Sequence, residues 1–144
     1  MENKLISLYA FAEEQGIDVD WFPMMATVSL SMPLPGDTYG IAIDPWKMET
    51  VAQEIVSLAH ELGHCQTGSF YNRKAALDVV ERHENRADKW AIRRLVPVGE
   101  LDAAVADGCD TIPALADRFG VTEPFMRKAV CWYAHGNLAM EMYA

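Results

Sequence analysis

The stretch that decides the fold is His60-Glu61-Leu62-Gly63-His64, an HExxH motif inside a segment with helical periodicity. Apolar residues recur at spacings of three and four over residues 49–66, which predicts a helix there. Residues four apart leave a helix on nearly the same side, so His60 and His64 can bind one zinc ion. Glu61 lies one step round the helix, where its carboxylate can act on a water at the metal.

A zinc peptidase needs a third protein ligand, and the next long helical segment offers several candidates. Glu84 lies on it, and Asp88 follows one turn later. This Glu-x-x-x-Asp pair resembles that of the thermolysin-like gluzincins. The resemblance implies that Glu84 binds zinc and that Asp88 accepts a hydrogen bond from a ligand histidine. The rival ligands are His83, Glu81 and Asp78, and simple pairing of Glu84 and Asp88 with surface bases is the non-functional interpretation.

The patterning around these segments predicts an α+β fold, a mostly helical, zincin-like single metallopeptidase domain over residues 1–144 with a small sheet near its N-terminus. Helices are expected at 2–15, 49–66, 74–95 (with a break near Glu81 left open), 99–107, 111–119 and 122–135. Residues 38–44 alternate as a strand, and the proline-rich stretch 18–35 is expected to form short strands or extended loop. We expect an extended substrate backbone to pair with residues 38–44, as the edge of the sheet.

Charge and composition exclude some classes of protein. The chain has 144 residues, is 51% hydrophobic and 23% charged, and carries a net charge of −9, which is ordinary globular composition. Residues 1–72 hold 10 acids and 2 bases, and only residues 73–94 have an excess of bases, 7 against 4 acids. Because phosphate binding needs clustered Lys and Arg, this balance argues against a nucleic-acid partner.

The cysteines and the N-terminus bear on the compartment. Cys65, Cys109 and Cys131 are odd in number and lack a CxxC spacing, which favours reduced thiols. The N-terminal residues acquire acids where the apolar part of a signal peptide would continue. No apolar run approaches the roughly 20 residues that span a bilayer. We therefore expect a cytoplasmic protein with no membrane partner.

Several segments together resemble one known family. They are Leu58-Ala59-His60-Glu61-Leu62-Gly63-His64-Cys65, Thr67-Gly68-Ser69-Phe70-Tyr71-Asn72, Arg82-His83-Glu84-Asn85-Arg86-Ala87-Asp88-Lys89-Trp90-Ala91-Ile92 with Leu95-Val96-Pro97, and Leu115-Ala116-Asp117-Arg118-Phe119-Gly120-Val121-Thr122. With the N-terminal helix and the strand at 38–44, they resemble the ImmA/IrrE family of metallo-endopeptidases over about residues 5–132. The chain resembles the short members of this family found in phages and mobile elements.

The resemblance implies a compact, zinc-dependent endopeptidase of the cytoplasm. Its protein substrate would be a helix-turn-helix repressor of a phage or mobile element. Zn²⁺ would be held by His60, His64 and Glu84, with Glu61 as the general base that activates the attacking water. A second donor to the developing oxyanion is usual, and Tyr71 and His83 are the nearest candidates in sequence.

Two other functions stay open. A non-catalytic, metal-containing anti-repressor would inactivate its regulator by binding alone. Glu61 argues against it, because a structural zinc site fills all four positions with protein ligands and needs no base. A DNA-binding regulator is the other, since Ile112 to Val130, with Gly120 between two helical runs, resembles a helix-turn-helix. Residues 110–131 hold three acids and three bases, so they form no basic face, and a packing helix pair is the simpler interpretation.

Overall fold

The computed structural model describes residues 3–72 and 74–135, which form six helices and a three-stranded sheet. The elements are α1 (Lys4–Glu14), β1 (Ile17–Trp21), β2 (Ser29–Leu34), β3 (Thr38–Ile43), a 3₁₀ turn (Pro45–Lys47), α2 (Val51–Thr67), α3 (Leu77–Leu95), α4 (Val98–Ala106), α5 (Ile112–Phe119) and α6 (Glu123–His135). The predicted α+β class is confirmed. The region near Glu81 is unbroken helix, and α3 begins at Leu77 because Ala76 before it is extended.

The sheet corrects one expectation. Its strand order is β1-β3-β2, with β1 parallel and β2 antiparallel to β3. The strand expected at the edge, β3, is therefore central and hydrogen-bonded on both sides. Among the described residues the free edges belong to β1 and β2. Pro33 fits this placement of β2, because a proline has no N–H to donate and is tolerated in an edge strand.

Helix α2 is the central element of the fold and contacts α1, α3, β2 and β3. Thr50 caps its N-terminus by accepting a hydrogen bond from the Gln53 N–H. Its apolar side supplies Leu58 and Leu62, both fully buried. The core that surrounds them is drawn from every helix and from β1 and β3, and its other large, fully buried side chains include Leu8, Ile43, Ile92, Leu95, Val96 and Met126.

Helices α5 and α6 form the pair whose spacing resembles a helix-turn-helix. Their inner faces belong to the main hydrophobic core, through Leu115, Ala116, Phe119, Phe125, Met126 and Ala129. Lys128 of α6 contacts Asp88, and with Phe125 of the same helix it lines a cavity that includes His60. The pair therefore closes one side of the described fold. None of the helices in residues 3–72 and 74–135 combines the length and the apolar character needed to cross a membrane.

Candidate metal centre

The two histidines of the HExxH motif meet Glu84 of α3. The Nε2 atoms of His60 and His64 are 3.2 Å apart. Glu84 places Oε2 at 2.6 Å from Nε2 of His60 and Oε1 at 3.3 Å from Nε2 of His64. Ligand atoms around a tetrahedral zinc ion lie about 3.3 Å apart, so two of these three distances already match a filled site. The third distance, 2.6 Å, is that of a hydrogen bond from Nε2 of His60 to Oε2 of Glu84.

The donor set also fits a metal chemically. Two imidazoles and one carboxylate are the protein ligands of a catalytic zinc site with an open fourth position. In the described part of the chain, these three side chains form the one cluster suited to a metal ion. Two rival ligands are not part of this cluster: Asp78 pairs with Arg82 at 3.9 Å on the surface, and Glu81 lines a second cavity beside it.

Gly63, between the two histidines, explains how α3 can come so close. A Cβ atom built on Gly63 would lie 2.4 Å from the carbonyl oxygen of Ala87 and 2.9 Å from its Cα. No side chain fits in that space, so the backbones of α2 and α3 touch at this point. Ala87 lies between Glu84 and Asp88 on α3. The close approach therefore brings both carboxylates within reach of the histidines.

The outer ring nitrogens of both histidines are held in place. His60 donates from Nδ1 to Oδ1 of Asp88 at 2.7 Å, and His64 donates from Nδ1 to the carbonyl of Ser69. Gly68 makes the second contact possible, because its left-handed backbone (φ 64°) turns the chain back after α2. Lys128 donates to Oδ2 of Asp88 at 3.0 Å. These contacts leave both Nε2 atoms facing the cluster.

The cluster holds a proton where a metal would bind. Burial lowers the pKa of His60, but hydrogen bonds to Asp88 and Glu84 outweigh it and raise this pKa to about 10. Burial raises the pKa of the Glu84 carboxyl, but hydrogen bonds from the two histidines and Tyr71 outweigh burial and hold this pKa well below its ordinary range. The pKa of Asp88 is lowered likewise against burial by its contact with His60. A metal ion would take the place of the proton between His60 Nε2 and Glu84, while the Nδ1 proton would stay with Asp88.

Glu61 is buried, with 7% of its surface exposed, and each of its carboxylate oxygens accepts one hydrogen bond. Ser29 donates from Oγ to Oε2 and Ser31 from Oγ to Oε1, each at 2.7 Å. Sequence reasoning missed these serines. A signal for them exists, because residues two apart in a strand share one face, and Ser29 and Ser31 lie on the face of β2 toward α2. Sequence reasoning also missed Lys128. It lies 40 positions from Asp88, so no local pattern in the sequence indicates their contact.

The two suggested oxyanion donors differ in their positions. Tyr71 lines the same cavity as the metal cluster, is 40% exposed, and donates from its hydroxyl to Oε1 of Glu84 at 2.6 Å. His83 stacks edgewise against Tyr71, and its Nδ1 donates to the carbonyl of Val79 one turn earlier. The open cavity has a volume of about 560 Å³. Its walls are α2, α3, β2 and the loop after α2, and its lining residues are Thr27, Ser29, Leu30, Ser31, His60, Glu61, His64, Ser69, Phe70, Tyr71 and Glu84.

Comparison with known proteins agrees with this geometry. The peptidase M78 model, described as the IrrE N-terminal-like domain, matches residues 12–130. No curated protein matches the chain. The matched region contains the HExxH helix, the carboxylates of α3 and the serines of β2. Membership implies a metallopeptidase-type function with a protein substrate, and the His60, His64 and Glu84 cluster suggests a metal ion. The chain belongs to the peptidase M78 family of IrrE N-terminal-like domains.

Proposed function

We propose that the protein is a zinc-dependent endopeptidase that cleaves a helix-turn-helix repressor of a phage or mobile element in the cytoplasm. We further propose that residues 1–144 act as one metallopeptidase domain. The observation that carries the proposal is the position of Glu61. Its carboxylate lines the same open cavity, of about 560 Å³, as the three side chains that could hold a metal ion.

In this proposal His60, His64 and Glu84 hold the zinc ion. When bound, zinc would polarise the scissile carbonyl and make an attacking water more acidic. Asp88 keeps the Nδ1 proton of His60, so that Nε2 is free to bind the metal. Glu61 takes a proton from the attacking water and delivers it to the leaving amine. These are the roles that peptide hydrolysis requires of the side chains.

Tyr71 is the better candidate for the oxyanion donor. Its hydroxyl is already in the cavity and within hydrogen-bond reach of Glu84. With Glu84 serving as a metal ligand, the Tyr71 hydroxyl would be available to donate to the carbonyl oxygen of a substrate. His83 is less suitable, because its Nδ1 is used by the Val79 carbonyl. Tyr71→Phe should therefore lower cleavage more than His83→Gln does.

The free edge of β2 is the proposed substrate strand site. Residues 27 and 29–31 line the cavity, and β2 has a hydrogen-bonded neighbour only on the β3 side within the described residues. An extended peptide can add there as a further strand, which fixes its backbone beside Glu61. A substrate cannot pair with β3 in this way, because β3 is hydrogen-bonded to β1 on one side and to β2 on the other.

The test separates cleavage from binding. Wild type and Glu61→Gln are expressed in cells, and new protein N-termini are compared by mass spectrometry, with metal content measured on the purified proteins. We expect both proteins to hold about one metal per chain and only wild type to produce fragments of a repressor. Loss of a general base costs about 10²–10⁴-fold in rate. If Glu61→Gln inactivates the repressor as well as wild type does, the protein acts by binding, and the peptidase proposal is wrong.

A further inference from the structure

The two serines of β2 hold the carboxylate of Glu61 in a symmetric arrangement. Ser29 contacts one oxygen and Ser31 the other, at the same distance of 2.7 Å. Both hydroxyls come from one strand, whereas the carboxylate comes from the HExxH helix. Nothing in the HExxH motif itself requires this contact.

The arrangement restrains the carboxylate without blocking it. The last torsion of a glutamate side chain is soft, so an unsupported carboxylate can rotate. A hydrogen bond to each oxygen stops that rotation. An ionised carboxylate has about four lone-pair positions, and the two serines use one on each oxygen. A position on either oxygen stays available for the proton of a water.

We propose that Ser29 and Ser31 are positioning residues that orient Glu61 for its role as general base, an inference that rests on the proposed peptidase function. The segment that orients the base is also the one that lines the cavity at the free edge of β2. A substrate strand paired with this edge would be bound by the backbone of residues 29–31, while the side chains of the same residues orient Glu61. Substrate register and base position are then set by one short segment.

This division of roles predicts a specific kinetic effect. Replacing serine by alanine keeps the backbone of β2 and therefore keeps the site for a substrate strand. It removes only the restraint on the carboxylate. The turnover number kcat should therefore fall while KM stays close to its wild-type value. Misplacement of a reacting group by about 1 Å can cost 10²-fold, so we expect a loss of about tenfold for one serine and about 100-fold for both.

The experiment uses the full-length protein and a quenched fluorescent peptide that spans the bond cleaved by wild type. Ser29→Ala, Ser31→Ala and the double variant are compared with Ser31→Thr, which keeps a hydroxyl and should retain most of the activity. Ser7→Ala is the matched control, because Oγ of Ser7 on α1 also takes part in a side-chain hydrogen bond, which it accepts from Arg94 at 3.2 Å, away from the cavity. Metal content should equal that of wild type in every variant.

A second measurement needs no substrate. In metal-free protein, the serine substitutions should lower the unfolding midpoint more when Glu61 is present than in a Glu61→Ala background. In the Glu61→Ala background the serines have already lost their contact with the carboxylate. Equal shifts in both backgrounds would overturn the inference, as would wild-type kcat in a metal-loaded double variant. If the double variant has wild-type kcat, wild type itself still cleaves, and the proposed function stands. If metal-loaded wild type cleaves no protein, the proposed function fails, and the positioning role fails with it.

Discussion

Gly63→Ala is the sharpest perturbation of the metal centre, because it adds one methyl group where α2 and α3 touch. The new Cβ would lie 2.4 Å from the Ala87 carbonyl oxygen, whereas ordinary contact begins at 3.4 Å. The helices must therefore separate by about 1 Å. Metal–ligand bonds tolerate only about 0.2 Å, so Glu84 would leave the position set by the histidines.

Two losses should follow from this displacement. Overpacking a closely packed contact costs about 1–3 kcal/mol, which should appear as a lower free energy of unfolding in the metal-free protein. Loss of an outer hydrogen bond of a metal site costs 10–100-fold in affinity, and here a ligand itself is displaced. We therefore expect metal affinity to fall by about 100-fold or more, measured by competition with a chromophoric chelator.

Gly99→Ala is the matched control for this substitution. A Cβ on Gly99 would meet no atom within 4 Å, and Gly99 lies on α4 away from the cluster. Its replacement should leave metal affinity unchanged and stabilise the protein by about 0.4–1 kcal/mol. If Gly63→Ala binds metal as tightly as wild type does, the close approach of α2 and α3 is not what positions Glu84, and the reasoning fails.

Three further predictions concern the side chains around the histidines. Glu84→Ala should abolish stoichiometric metal binding, and Asp88→Asn should weaken it by about 10–100-fold; equal affinity of Asp88→Asn and wild type would contradict the role of the His60–Asp88 contact. Lys128→Met removes the 3.0 Å contact with Asp88 and should raise the pKa of that carboxyl and lower metal affinity severalfold, whereas Arg127→Met, on the exposed side of α6, should change neither. In metal-free protein, the raised pKa of His60 contributes stability that is fully present below about pH 6.5 and is lost as the pH rises toward 10. The lowered pKa of Asp88 contributes stability that is lost in acid. The denaturation midpoint in a chelator should therefore be higher at about pH 6 than at about pH 9, and a flat profile in wild type would contradict this coupling.

Much of the site could be predicted because its residues are close in the chain. A helix fixes the relative directions of residues four apart, so the pairing of His60 with His64 follows from local geometry alone. The same holds within α3, where Glu84 and Asp88 are one turn apart. That the two helices meet was expected only from resemblance to known families. The structural reason for it is the backbone contact at Gly63, which no helical pattern in the sequence reveals.

The order of the strands and the surroundings of Glu61 required the tertiary structure. Alternation in a strand indicates which side chains share a face, yet it says little about which strands become neighbours, because pairing depends on distant segments. Alternation at 38–44 therefore predicts the strand correctly, but the edge position expected for it is wrong. Pro33 was the one local signal that β2 belongs at the edge.

The sequence by itself determined the helices, the face that carries both histidines and the family to which the chain belongs. These depend on periodicity and on residues a few positions apart, which a helix places at fixed angles. Only the tertiary structure decided that serines of β2 hold Glu61 and that Lys128 of α6 reaches Asp88. Such contacts join residues 30 to 40 positions apart, and they form only because packing of the whole core brings β2 and α6 against the helices of the metal centre.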